Sequence, residues 1–342
     1  MMTMQNFIGN TDLLMELRIS IIAARVKNSA LPHLLLKGPA GTGKTTLAEV
    51  VAREFGTVPM ALTPNTAKTS NDLRKLFLRM PGEGYDQDGD IIGQIKPQIV
   101  FVDEVHQLSL LAQENLGIAM QDWKLPVKIN GVDVFEWVPR FTLIGATTLA
   151  GKLSKPFLDR FKLQSEFETY TQDEAIEIAQ IHAKALGIEI ASGVAEIIAK
   201  RARGVPRLVV RFLERIHDAL IYAAQRNPAY GKVVIPSLAE HVLQDILHID
   251  DRGLTRTDIK VLKQLMKIPD PIGLESLAAI TNEDKGTIEH MVEPYLVQEG
   301  LVCRTKRGRV LTDEGRRYLE SEGYVDATPE IQRIGRLMGA QK

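Results

Sequence analysis

The stretch GPAGTGKTT, Gly38–Thr46, decides the fold. It follows the apolar run HLLLK (33–37) and precedes LAEVVAREF (47–55), whose apolar residues recur at helical spacing. Strand, glycine loop and helix in that order make a phosphate cradle, and G-x-x-x-x-G-K-[ST] is complete at Gly38, Gly43, Lys44 and Thr45. Glycines let backbone N–H groups converge on phosphate, lysine reaches the β/γ oxygens, and the threonine hydroxyl holds Mg²⁺. The dipole of the following helix adds positive potential there. Gly41 and Thr46 complete the expected nucleotide-binding set.

Around this loop, QIVFVDE (98–104) and FTLIGATT (141–148) are further continuous apolar runs, as in parallel strands buried on both faces. Helical patterns alternate with them, which predicts an α/β unit over 1–165. In LPVKINGVDVFEW (125–137), Val127 and Ile129 oppose Val134 and Val132 across Asn130-Gly131, a hairpin signal. Residues 81–97, rich in glycine and acid, read as a solvent loop. Residues 166–248 are helical almost throughout. Residues 249–325 give three short helices and a two-stranded ribbon, the order of a winged helix, and 326–342 form a polar tail.

A phosphate site needs acid at the end of a neighbouring strand. Asp103 is placed to hold magnesium-bound water, and Glu104 to accept a proton from the attacking water. Acidic pairs after strands also cap helices; the loop upstream favours the chemical role. Charge developing on the γ-phosphoryl group calls for arginine. Arg160 in PFLDRF and Arg207 in GVPR are the candidates, while Arg201, Arg203, Arg211 and Arg215 read mainly as a solvated helix face.

With 42 basic and 43 acidic residues in 342, any affinity for nucleic acid must come from a local cluster. Arg304, Lys306, Arg307 and Arg309 supply one on the terminal ribbon. Cys303 is the only cysteine, which excludes an internal disulfide and a multi-cysteine zinc site; it reads as a semi-buried strand residue. No apolar run approaches a membrane span, and MMTMQNFIGN lacks the features of a secretory signal, so a cytoplasmic protein without membrane partners is expected.

The segments PHLLLKGPAGTGKTTLA, VFVDEVHQLS, MQDW, FTLIGATT, RARGVPR and EPYLVQEGLVCRTKRGR together resemble the RuvB family of AAA+ ATPases, motors of Holliday-junction branch migration, from about Phe7 to Thr312. The resemblance implies an AAA+ domain, a helical lid and a winged helix, a ring oligomer, a hexamer in the family, and ATP with Mg²⁺ as cofactors. It implies that Thr148 senses the γ-phosphate, that Arg160 reaches into the neighbouring subunit's site, and that Arg207 acts in its own. Tyr170 and the Phe7-Ile8 pair match positions beside the nucleotide, and Lys285, Arg304 and Arg309 match basic positions that touch the duplex DNA arms of a four-way junction. The hairpin 127–137 matches the element that docks a RuvA-like junction-binding partner, though it is shorter than in typical members. Leu149 and Leu158 stand where the family often carries arginine, and 81–97 resembles an insertion. The alternative reading is an AAA+ loader that recruits a partner protein to DNA without processive translocation.

Overall fold

The computed structural model of the protein describes residues 2–80, 84, 85, 91, 92, 98–129, 131–226 and 231–324. In chain order, α1 (Thr11–Lys27) leads to β1 (Leu34–Lys37), α2 (Lys44–Phe55), β2 (Met60–Ala61) and α3 (Ser70–Phe77). Next come β3 (Gly84–Tyr85), β4 (Ile91–Ile92), β5 (Ile99–Val102) and α4 (Leu110–Asp122). They are followed by β6 (Lys124–Ile129), β7 (Val132–Trp137), β8 (Thr142–Thr147), α5 (Lys155–Leu158), β9 (Leu163–Glu166) and α6 (Gln172–Leu186). Five strands form one parallel sheet in the order β2-β5-β8-β1-β9.

The period of two along each strand explains why these runs are apolar without interruption. Leu34, Leu36, Ile99, Phe101, Ile144 and Ala146 pack with residues of α1 and α2, whereas Leu35, Val100, Val102 and Leu143 pack with residues of α3 and α4. Both faces of the sheet are therefore covered, and neither tolerates a polar alternation. The hairpin β6–β7 has the expected register, Val127 opposite Val134 and Ile129 opposite Val132. Gly131 has φ +83°, and Asn130 lies outside the described residues.

Two local expectations are corrected. Within 81–97, β3 and β4 form an antiparallel pair rather than an unbroken loop, and the remaining residues of that stretch lie outside those described, as does the tail 326–342. Cys303 is exposed rather than semi-buried, because its neighbour Val302 takes the inward position of the strand.

The chain forms two compact units. The first is Met1–Ile188 with Gly204–Leu213, and the second is Glu189–Arg203 with Glu214–Lys342. After β10 (Glu189–Ile190) and α7 (Val194–Arg201), helix α8 (Pro206–Arg226) starts in the first unit and ends in the second. The second unit continues with β11 (Val233–Val234), α9 (Pro236–Glu240), α10 (Arg256–Lys267), α11 (Leu274–Thr281), α12 (Lys285–Thr287) and α13 (Glu293–Gln298). It ends in β12 (Val302–Thr305), β13 (Gly308–Leu311) and α14 (Asp313–Ser321), the last a helix the sequence reading omitted. Helices α10, α11, α13 and α14 and the β12–β13 ribbon share one apolar core that includes Leu262, Leu277, Leu296 and Leu319.

Candidate active site

The glycine loop joins β1 to α2 at the C-terminal edge of the sheet. Its geometry depends on missing side chains: a Cβ on Gly38, at φ +134°, would stand 2.2 Å from the Phe167 carbonyl oxygen. Gly43 caps α2 at φ +96°, and the first α-helical bond there runs from Leu47 N–H to the Gly43 carbonyl. The N–H groups of Lys44, Thr45 and Thr46 precede that bond, so they remain available to an anion. Lys44 is 7% exposed and donates to the carbonyls of Gly38 at 2.9 Å and Pro39 at 2.6 Å. Burial pushes its ammonium below the usual lysine range; the carboxylates of Glu104 and Asp103 pull it back up, and Arg207 adds to the depression.

Residues distant in sequence converge on this loop. The Tyr170 hydroxyl donates to the Thr42 carbonyl at 3.2 Å, and burial raises that hydroxyl's pKa to about 12. A Cβ on Gly43 would be 3.5 Å from both the Phe7 ring and the Tyr170 oxygen, which places both aromatic rings at the cradle. Ile8 adjoins Phe7 and is partly buried. Arg207 donates its N–H to the Gly41 carbonyl at 3.3 Å, and a Cβ on Gly41 would be 3.1 Å from the Arg207 Cβ. The start of α8 therefore lies on the loop, within the first unit.

Asp103 and Glu104 follow β5, and Thr148 follows β8, its neighbour in the sheet. Asp103 is exposed and its Oδ1 accepts the Glu104 N–H at 3.0 Å. Glu104 has φ +47°, a left-handed conformation that costs about 1–2 kcal/mol in a non-glycine residue. Its Oε2 accepts the Thr148 N–H at 3.2 Å and the Thr148 hydroxyl at 3.1 Å. The same oxygen is 3.1 Å from Nδ1 of His106, which is also 2.9 Å from the Thr147 hydroxyl. Neither His106 nor Thr147 stands out in the sequence; their only trace is a histidine two places past Glu104 and the first of the two threonines in GATT.

Thr45 is exposed at the first turn of α2, as Asp103 is beyond β5. Among the described residues no group of three or more His, Cys, Asp or Glu side chains is placed to hold a metal. One hydroxyl and one carboxylate suit Mg²⁺, which fills its shell with water and phosphate oxygens.

Arg160 is not brought to this cradle. It precedes β9, whose Leu163 pairs with Leu34 at the start of β1, so it lies at the opposite edge of the sheet from the loop that follows β1. Its Nε donates to the Gly117 carbonyl at 2.7 Å and its terminal nitrogen to the Pro156 carbonyl. A Cβ on Gly117 would meet Arg160 Nε at 2.9 Å. The neighbouring arginine cluster also divides: Arg211 and Arg215 are exposed, but Arg201 pairs with Asp251, and Arg203 pairs with Asp258 and stacks 4.0 Å from the Tyr295 ring.

In the second unit the basic ribbon separates into two kinds of residue. Arg304 stands directly opposite Arg309, a like-charge pair that needs neutralising. Glu293 does so: it receives Arg309 at 2.7 and 3.1 Å and lies 3.5 Å from Arg304. Arg309 is 7% exposed, whereas Arg304, Lys306 and Arg307 are exposed. Lys285 at the start of α12 pairs with Glu275 at 2.8 Å, and that bond raises its pKa.

Three family descriptions match the chain: the Holliday junction DNA helicase RuvB P-loop domain over residues 1–167, the RuvB AAA lid domain over 170–243, and the RuvB C-terminal winged helix domain over 251–320. The Holliday junction branch migration complex subunit RuvB of Pseudothermotoga lettingae is 35% identical over 316 residues, 91% of this chain and 86% of that protein. The subunit of the same name from Synechococcus sp. strain RCC307 is 37% identical over 324 residues, 92% and 88% of the two chains. The solved Thermotoga maritima RuvB Holliday junction branch migration motor superposes with a TM-score of 0.74 at 32% identity, covering 93% of this chain and 97% of that one.

Proposed function

The chain belongs to the RuvB family, and from that premise we propose that it is an AAA+ ATPase that drives branch migration of Holliday junctions. The observation that carries this reading is the placement of Lys44, Glu104 and Thr148 around one glycine cradle in a chain that also contains a winged helix. The α2 N–H groups and Lys44 bind the triphosphate. Phe7, Ile8 and Tyr170 line the approach, with Arg207 against the loop. Thr45 and Asp103 would hold Mg²⁺, which would supply positive charge to the bound triphosphate. Glu104 accepts the proton of the attacking water, and Thr148 reports the γ-phosphate.

Arg160 completes the charge balance from a neighbouring protomer, which requires a ring; six subunits follow the family. What supports action in trans is its position at the sheet edge away from its own cradle. Of Lys285, Arg304 and Arg309, the positions the resemblance assigns to DNA, Arg304 has the exposed place suited to phosphate and Lys285 is exposed but paired with Glu275, whereas Arg309 is taken up by Glu293 and braces the ribbon. The hairpin β6–β7 exposes Phe135 and Trp137 on the face turned away from the core, an apolar patch suited to a RuvA-like protein. The loader alternative is not favoured, since relatives matched over nearly their whole length carry the branch-migration name.

The test is ATP-dependent branch migration of a synthetic four-way junction, with and without a RuvA-like protein. Strand movement is expected from the natural chain and not from Glu104→Gln, which keeps ATP bound. DNA-stimulated hydrolysis without strand movement would return the loader reading to favour.

A further inference from the structure

We propose that His106 is a positioning residue for Glu104, holding the general-base carboxylate in place when the Thr148 hydroxyl turns to the γ-phosphate. The inference deepens the ATPase reading and rests on it. The Thr148 hydroxyl has one hydrogen, which here goes to Glu104 Oε2 at 3.1 Å. The sensing role asks for the same hydrogen on the γ-phosphate. Once it leaves, the carboxylate keeps the Thr148 N–H at 3.2 Å and the His106 ring at 3.1 Å.

The ring is built to stay. Its side chain is 9% exposed, and Nδ1 is 2.9 Å from the hydroxyl of Thr147, a fully buried residue of β8. The Thr147 hydroxyl also accepts the Leu149 N–H at 3.0 Å, so its own orientation is fixed. Nδ1 must carry a hydrogen in this arrangement. Without one, its lone pair would face a carboxylate oxygen at 3.1 Å. The Nδ1–H is therefore shared between Thr147 Oγ1 and Glu104 Oε2. It ties the base to β8, the strand that also carries the sensor. A carboxylate on a left-handed residue at the start of a short turn has little else to fix its direction. Misplacing a reacting group by about 1 Å can cost a large part of its rate effect.

The experiment compares turnover and binding of a fluorescent ATP analogue in the full chain with duplex DNA present. His106→Asn places an amide N–H where Nδ1–H stands, whereas His106→Gln places its amide farther out. Turnover is expected to stay within about threefold of the natural chain for H106N and to fall about tenfold for H106Q, with nucleotide affinity unchanged in both; that loss is part of the ~10²–10⁴ a general base supplies. In a Glu104→Gln background H106Q should bring no further loss. Equal losses for the two variants, loss of nucleotide binding alongside turnover, or an undiminished H106Q effect in that background would overturn the proposal. If the natural chain fails to hydrolyse ATP, or Glu104→Gln turns over normally, it is the ATPase reading that fails.

Discussion

Lys44 and Arg309 are both buried cations, and they are held in opposite ways. Lys44 bonds to two backbone carbonyls, while the carboxylates that influence it act through space. Arg309 is locked by two nitrogens onto one oxygen of Glu293, a residue only 6% exposed. Neutral partners keep a cation in place without cancelling its charge, so an arriving phosphate meets it in full. A buried carboxylate consumes the charge and turns the cation into part of the framework. The ribbon and the glycine loop look alike as basic motifs in sequence, yet only one of these two buried residues retains charge to offer.

Removing Lys44 should have the largest effect. Lys44→Ala should abolish nucleotide binding and reduce turnover by about 10³-fold or more, measured by equilibrium dialysis and phosphate release, with little change in folding. The mirror experiment is Glu293→Ala, which strands Arg309 without its counter-ion. Unfolding by urea should show a loss of about 3–5 kcal/mol, while ATP binding persists. Were Glu293→Ala neutral for stability, the distinction between the two cations would fail.

His33 sharpens the same point with a group that could be charged but is not. Its Nδ1 accepts the Leu143 N–H and its Nε2 donates to the Met120 carbonyl, both at sites closed to water. Burial lowers its pKa from 6.5 to about 4. The unfolded chain therefore binds the extra proton first as pH falls. Stability should decline from about pH 6.5 down to pH 4, by about 3 kcal/mol in total from this group, and the natural-minus-H33F difference in stability should follow that slope. The smallest effect is expected at Arg304. Arg304→Ala should leave the thermal midpoint nearly unchanged, weaken duplex binding evenly across sequences, and reduce the salt slope by about one.

The contrast also explains what sequence could disclose. The loop, the strands on either side and the hairpin register were legible because they depend on local rules: glycine where φ is positive, unbroken apolar runs where both sheet faces are covered, and a period of two. The wing's basic residues were legible as a cluster, but their division was not. Whether Arg309 points to solvent or to Glu293, sixteen positions earlier, depends on how β13 packs against α13 and on the bridge from Ile272 to Arg309. Likewise, the clamp on Glu104 joins residues from two different strands' ends, and the burial of Arg201 and Arg203 depends on Asp251 and Asp258, some fifty positions on. Such contacts leave no periodic trace.

Gly117 carries a consequence that motif searches would pass over. It sits mid-helix, where glycine is a poor choice, and the bare spot it leaves is the bed in which the Arg160 guanidinium lies. Adding a single methyl group there would lift the arginine out of its resting place without touching the arginine itself. The Arg160 guanidinium thus rests on backbone of its own protomer, and the absent side chain at position 117 sets how closely it is held there.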